Sequence, residues 1–293
     1  MEPLFGVIAY INILIRNICY KITFFSRQIH RYPFKIPYAY STGIILLLCF
    51  FPFQLALGQT SIVAIRLNDQ VVVGADSKIH LEEATGLKIP VSEPICKIGK
   101  GDGFFFATSG VIAIKETGYN ANKIISEAPK INGTIEQKIE RLEEMIKTPL
   151  TESLERHRRV YPWNYPYTSG TKPALEIVFL AVEKDSPFLL RRDFIPITSA
   201  FDSVEMNIVR KKCPGDCQNG EDIYPLGEKR AIKERLSQGP NFWKNDPINA
   251  IRKLIELEIA DDPFYVGPPI DILQIDKNGA RWIEKKKECP DIQ

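Results

Sequence analysis

Thr60 stands where a hydrophobic stretch ends and β-rich chain begins. Gly58-Gln59-Thr60-Ser61-Ile62-Val63-Ala64-Ile65-Arg66-Leu67 is followed at once by Val71-Val72-Val73-Gly74-Ala75-Asp76-Ser77. A chain cut directly before Thr60 would start with a residue carrying both a hydroxyl nucleophile and a free α-amine. Such an amine titrates at about 7.7 to 8.0, so it can act as base without a histidine. Other nucleophile chemistries have little raw material, because His80 and His157 are the only histidines after residue 59. That disfavours a Ser-His-Asp or Cys-His enzyme. There is no Gly-rich phosphate loop. Four cysteines follow the hydrophobic stretch: Cys96, Cys213, Cys217 and Cys289. Cys213-Pro-Gly-Asp-Cys217 is turn-like and suits a small disulfide in an exported protein. A zinc half-site is the weaker alternative, since no second Cys pair or His cluster completes it.

The composition, 44% hydrophobic and 25% charged over 293 residues, is that of a folded globular chain. Its net charge of +2 is unevenly spread. Residues 1–59 hold Arg16, Lys21, Arg27, Arg31 and Lys35 against Glu2, for +4, which leaves −2 on the remainder. No basic excess in the main domain points to nucleic acid. Within the leader, Leu4 to Phe25 is broken by Asn12, Arg16, Asn17 and Lys21, whereas Gly43 to Leu57 is an apolar core after a basic flank. Small residues near its end give a secretory signal peptide cleaved after Gly58, with an uncleaved membrane anchor as the alternative. The forty residues before that core suggest an over-extended start at Met1. The expected organisation is a leader over 1–59 and a single domain over 60–293.

Periodicity supplies the elements that would position Thr60. Ser61–Leu67 and Val71–Ala75 read as strands across an Asn68-Asp69 turn, with 78–91 as loop or edge strand. Ile95–Ile98 and Phe104–Thr108 read as a second hairpin. Helices are expected over 112–128, 135–146 and 150–160, the last ending in His157-Arg158-Arg159, a solvated basic run rather than a binding patch. Tyr161 to Tyr167 is an aromatic, Pro-rich loop. Strands 175–182 and 188–194 follow, 195–224 is irregular, and helices 228–236 and 248–259 precede a closing pair at 270–275 and 281–283. Hairpins alternating with helix pairs point to an α+β fold, a four-layer αββα sandwich.

These residues also carry a family likeness. Thr60-Ser-Ile-Val-Ala-Ile-Arg with Val71-Val-Val-Gly-Ala-Asp-Ser-Lys resembles the opening of proteasome β-type subunits and the HslV peptidase, which are N-terminal nucleophile (Ntn) hydrolases. Counted back from Ala75-Asp76-Ser77, Thr60 falls at the family's nucleophile position without a gap. Pro94-Ile95-Cys96-Lys97-Ile98 and Phe105-Phe106-Ala107-Thr108-Ser109-Gly110 are similar to the family's lysine strand and the glycine strand end after it. Tyr265-Val266-Gly267-Pro268-Pro269-Ile270-Asp271 is similar to the turn before its last strand. The likeness spans about 60–283, and its first fifty residues are the specific part.

The resemblance implies the Ntn hydrolase fold and a threonine protease or amidase. Thr60 would be the nucleophile, Lys97 a cation that favours the neutral amine, and Asp76 its anchor. Gly110 N–H would be the oxyanion donor and Asp262 an outer support. No cofactor or metal is implied. A peptide or small amide is the substrate, further copies of the chain are candidate partners, and a membrane is touched only through the leader. The chain would be exported or anchored, or cytoplasmic if the leader is merely a removed propeptide. Three positions depart from the family: Glu228 and Val266 stand where supporting serines belong, and Gln59 where self-cleaving members have Gly. A cut after Gly58 would leave Thr60's nitrogen locked in an amide. The alternative is therefore a catalytically inactive Ntn-fold protein used for binding or assembly.

Overall fold

Continuous apolar runs such as Ile62–Ile65 and Val71–Val73 require strands covered on both faces, because successive side chains point opposite ways. The computed structural model describes residues 54–58, 60–78, 80–83, 88–90, 95–114, 117–128, 132–160, 162, 165–167, 170–198, 203–239 and 241–292. Strands β1 (Gln54–Gly58), β2 (Ser61–Arg66), β3 (Gln70–Ala75), β4 (His80–Glu83), β5 (Lys88–Pro90), β6 (Ile98–Lys100), β7 (Phe105–Ile114) and β8 (Tyr119–Asn120) come first. Helices α1 (Ala121–Glu127) and α2 (Ile135–Val160) follow, then β9 (Leu175–Glu183), β10 (Ser186–Thr198), β11 (Val204–Cys213) and β12 (Asp222–Gly227). Helices α3 (Arg230–Gln238) and α4 (Pro247–Asp261) lead to the hairpin β13 (Asp271–Asp276) and β14 (Gly279–Glu284).

The fold is α+β with two antiparallel sheets. One runs β11-β10-β9-β7-β1-β4-β5, with β6 and β8 also on β7; the other runs β12-β2-β3-β13-β14. Period-two alternation sorts the core into three clusters. Ile62 and Ala64 of β2 meet Phe105 and Ala107 of β7 and Val178 and Leu180 of β9, so the sheets pack on each other. Val63 and Ile65 point the other way onto Ile232 of α3 and Ile251, Leu254 and Ile255 of α4. Phe106, Ile177 and Phe179 pack on Ile139, Leu142, Ile146 and Leu150 of α2. Each fully buried side chain of this size contributes about 1.5 to 3 kcal/mol.

Several expectations are corrected. Residues 112–114 continue β7 rather than opening a helix, because Val111 and Ile114 are buried in the sheet and α1 starts only after the Asn120 cap. Residues 135–160 form one helix through Pro149, started by a reciprocal Thr134–Gln137 capping box. Burial of Ile146 and Leu150 on either side of Pro149 outweighs the lost N–H. The stretch 195–224 contains the end of β10, all of β11 and the first half of β12. Strand β11 alternates buried Val204 and Met206 with exposed Glu205 and Asn207, a pattern obscured by the charged residues that follow. The leader expected over 1–59 lies outside the described residues except for Gln54–Gly58, which form β1. No helix among the described residues is long and apolar enough to cross a membrane.

Two disulfides are present, Cys213–Cys217 and Cys96–Cys289. The second was not anticipated from the sequence and spans a separation of 193 residues. Restricting so long a loop is worth roughly 5 kcal/mol in the chain-entropy picture.

The basic run ending α2 is also corrected at its first member. His157 is 2% exposed and its ring lies 6.3 Å from that of Tyr165. Burial pushes it down to about 4. Above the unfolded value of about 6.5 neither state binds the proton; between there and about 4 only the unfolded chain does, so stability falls as pH falls. This group accounts for a loss of about 3 kcal/mol at most. Thermal melts from pH 7 to 4 should therefore decline less steeply for His157→Gln than for wild type, and parallel declines would refute it.

Candidate active site around Thr60

Thr60 lies between β1 and β2, and both its neighbours in space are set by strand register. Strand β12 pairs with β2 so that Gly227 faces Ser61. The next residue, Glu228, donates its N–H to the Thr60 carbonyl at 2.8 Å. Gly227 adopts φ +72, and a Cβ there would sit 1.8 Å from the Thr60 carbonyl oxygen. Only glycine allows this approach. On the other side, Ser61 N–H donates to Asp76 Oδ1 at 2.9 Å, and Asp76 N–H returns a bond to Ser61 carbonyl at 3.1 Å.

Asp76 is fully buried and is the hub of the cluster. Besides Ser61 N–H it accepts Lys97 Nζ at 2.6 Å, Lys78 N–H at 3.0 Å and Gly267 N–H at 3.1 Å. Four donors occupy its lone pairs. Lys97 comes from the loop before β6 and is 1% exposed. Burial lowers its pKa to about 8, against the opposing pull of Asp76. It is therefore mostly an ammonium at neutral pH, close to losing its proton. Among the described residues Lys97 Nζ bonds to Asp76 alone of the side chains, and Thr60 Oγ1 is buried without a hydrogen-bond partner. A buried hydroxyl left unbonded costs about 1 to 3 kcal/mol. Such a group marks a site where something else is meant to bind or react.

Gly110 sits in β7 at φ +100, where a Cβ would meet the Ala174 carbonyl at 2.3 Å. The following Val111 N–H takes that carbonyl at 2.7 Å. Strand β1 lies antiparallel along this edge of β7, pairing Gly58 with Gly110 and Leu57 with Val111. The edge is thus shared: β6 covers Phe105–Ala107 and β1 covers Gly110–Ile114.

The structure brings Thr60, Asp76 and Lys97 together through Ser61, with Gly110 on the strand beside β1. Asp262 is placed differently. It follows α4 and its carboxylate accepts Tyr265 N–H at 3.3 Å, while its carbonyl accepts Val266 N–H at 3.0 Å. Its link to the cluster runs through the backbone of Val266 and Gly267, whose N–H reaches Asp76. Val266 is fully buried.

Several supporting residues were not legible in the sequence. Glu176 of β9 accepts Gly227 N–H at 2.8 Å, Lys229 Nζ at 2.6 Å and an Arg191 nitrogen at 2.8 Å, holding the turn that covers Thr60. Beneath Asp76, Lys286 bonds Asp271 at 2.6 Å, the Ile95 carbonyl at 2.7 Å and Ser77 Oγ. The one signal available was the buried-strand context of Glu176 and Asp271, charged residues in otherwise apolar runs. Among the described residues, the sulfurs of Cys96 and Cys289 and the Asp271 carboxylate lie within 4.8 Å of one another. The sulfurs are bonded to each other and the carboxylate is paired with Lys286, so the group is already satisfied. A hollow of about 480 Å³ lined by Asn132, Gln137, Glu140, Arg141 and Glu144 contains none of the candidate residues.

No protein-family model matches the chain, and no curated protein matches it.

Removing one member of a buried pair strands the other charge, at about 3 to 5 kcal/mol. Asp76→Asn should lose about that much in urea unfolding. Adding Lys97→Met to the same protein should restore a large part of it, whereas additive losses would show that the two charges are not coupled.

Proposed function

We propose that the chain is a threonine-nucleophile hydrolase of the Ntn type, which cleaves peptide or other amide bonds through Thr60. The observation that carries this reading is the buried Lys97–Asp76 pair bonded to the N–H of Ser61, the residue after Thr60, whose own hydroxyl is buried and unpartnered. The three core clusters, helices on sheet, sheet on sheet and sheet on helices, support a four-layer αββα sandwich.

In the uncut chain Thr60 nitrogen is an amide and cannot act as base. Attack of Thr60 Oγ1 on the Gln59 carbonyl would move the acyl group from nitrogen to oxygen, forming an ester and freeing the amine. Water then adds hydroxyl to the Gln59 carbonyl and a proton to Thr60 oxygen, releasing the preceding chain. In the mature enzyme the amine takes the hydroxyl proton as Oγ1 attacks a substrate carbonyl. The developing oxyanion accepts Gly110 N–H, a contact worth about 3 kcal/mol in comparable sites. The proton passes to the leaving amine, and water hydrolyses the Thr60 ester. The Lys97 ammonium favours the neutral amine and eases loss of the hydroxyl proton.

Strand β1 supports the same reading by marking a track. A peptide taking its place would add to the β7 edge as an antiparallel strand, with main-chain bonds fixing its register near Gly110. The leader, on this reading, is exported signal or removable propeptide, and further copies of the chain are candidate partners.

Buried Val266 and Glu228, which take the place of hydroxyl side chains, favour a second reading in which the fold is kept for binding or assembly without catalysis. Intact mass and N-terminal sequence of the mature protein distinguish the two. A start at Thr60, with peptidase or amidase turnover that Thr60→Ala reduces at least about a thousandfold, is expected. A start at Gln59 with equal turnover in both proteins would sink the enzymatic reading in favour of the second.

A further inference from the structure

A second buried lysine lies under the site and has no part in the reaction just described. Lys286 follows β14 and is 8% exposed. Its backbone N–H donates to Asp271 Oδ1 at 2.9 Å, and its ammonium spreads over Asp271 Oδ2, the Ile95 carbonyl and Ser77 Oγ. Ser77 adjoins Asp76, and its hydroxyl passes the chain of bonds to the Pro269 carbonyl. Ile95 lies two residues before Lys97, and its N–H bonds the Ser77 carbonyl at 3.3 Å. The Cys96–Cys289 disulfide ties the segment after Lys286 to the residue directly before Lys97. Lys286 thus touches both segments that carry the Lys97–Asp76 pair.

We propose that Lys286 is a positioning residue for Lys97, fixing the loops that present Asp76 and Lys97. This deepens the hydrolase reading and rests on it for its catalytic consequence, not for its physical basis. The charged groups facing Lys97 are Asp76 after β3, Lys286 after β14 and Asp271 at the start of β13. Lys286 is the like charge among them. Its presence opposes a second ammonium, while Asp76 and Asp271 favour one. A rigid cation at this place therefore keeps Lys97 close to the point of releasing its proton, beyond what burial alone does.

The test is a titration of Lys97 in the folded protein, followed by ¹⁵N NMR of lysine side-chain nitrogens, with Lys97→Met identifying the resonance. Lys286→Met should move the Lys97 midpoint upward by about half a pH unit or more. Because that variant leaves Asp271 buried without its partner, Lys286→Met with Asp271→Asn provides a second measurement. That variant removes one cation and one anion together, so its Lys97 shift is smaller than that of Lys286→Met. The alkaline limb of kcat/KM should move in the same direction as the titration, which loss of packing alone would not produce. An unmoved or lowered Lys97 midpoint in folded Lys286→Met, or a Lys97 resonance and midpoint in the double variant identical to wild type, overturns the proposal. Equal turnover in wild type and Thr60→Ala would overturn the hydrolase reading instead, and leaves the titration able to decide the role of Lys286.

Discussion

Taking an ammonium and a carboxylate out of water costs several kcal/mol per ion, and their attraction offsets this only where the remaining hydrogen-bonding capacity is also satisfied. Lys97 and Asp76, both fully shielded from solvent, place that demand on everything around them. Asp76 meets it with backbone N–H groups drawn from three separate places: the start of β2, the residue two beyond Asp76 itself, and the turn after α4. A carboxylate that needs donors from distant segments fixes those segments relative to each other. The antiparallel pairing of β2, β3 and β13 is what delivers them in register, with Asp271 facing Ala75 and Ile62 facing Ala75 on the other side.

The same pairing leaves Thr60 tightly held through its carbonyl and its following amide, while its side chain is uncommitted. Glu228 N–H fixes the carbonyl, and Gly227 permits the contact because any side chain there would strike Thr60. Glu176 in turn holds Gly227 and Lys229, so an acid on one sheet orders a turn at the end of a strand in the other. Two hydroxyl-bearing positions expected from the family likeness are occupied by Glu228 and Val266. The geometry around Thr60 is nevertheless dense with backbone bonds, and these do not depend on side-chain identity. That is a physical reason why such substitutions need not loosen the placement of Thr60.

Period-two apolar runs made the central strands legible: Ile62 to Ile65, Val71 to Val73 and Leu175 to Leu180 could only be buried on both faces. Thr60, Asp76, Lys97 and Gly110 stood out as a set because their spacing resembles a family opening, and of these the structure links Thr60, Asp76 and Lys97 through Ser61. The β11 strand was not, because Arg210, Lys211 and Lys212 read as loop while their partners Glu143 and Glu136 sit on α2, far away in sequence. The upstream strand β1 was hidden for a different reason. Its residues end a hydrophobic run whose composition suits a leader, and only the antiparallel pairing of residues 55–58 along β7 shows them as a strand. Lys286 and the Cys96–Cys289 bond depend on contacts across nearly two hundred residues, and nothing local announces them.

The two buried lysine–aspartate pairs differ in how far their hydrogen-bonding capacity is used. Lys286 distributes its donors over Asp271, Ser77 and Ile95, so its hydrogen-bonding capacity is spent on protein. Lys97 bonds Asp76, whose other positions are already filled by backbone, and makes no further side-chain bond among the described residues. Thr60 Oγ1, one residue before the Ser61 N–H that Asp76 accepts, is buried and unbonded. An ammonium with donors to spare, together with a buried, unbonded hydroxyl, is an expensive arrangement for a purely structural core, where replacing both by apolar groups would cost little or even stabilise. The arrangement makes physical sense if the missing partners arrive with a reacting group. Strand β1 occupies the neighbouring edge of β7, so on the hydrolase reading the bond before Thr60 would control both the amine and that edge.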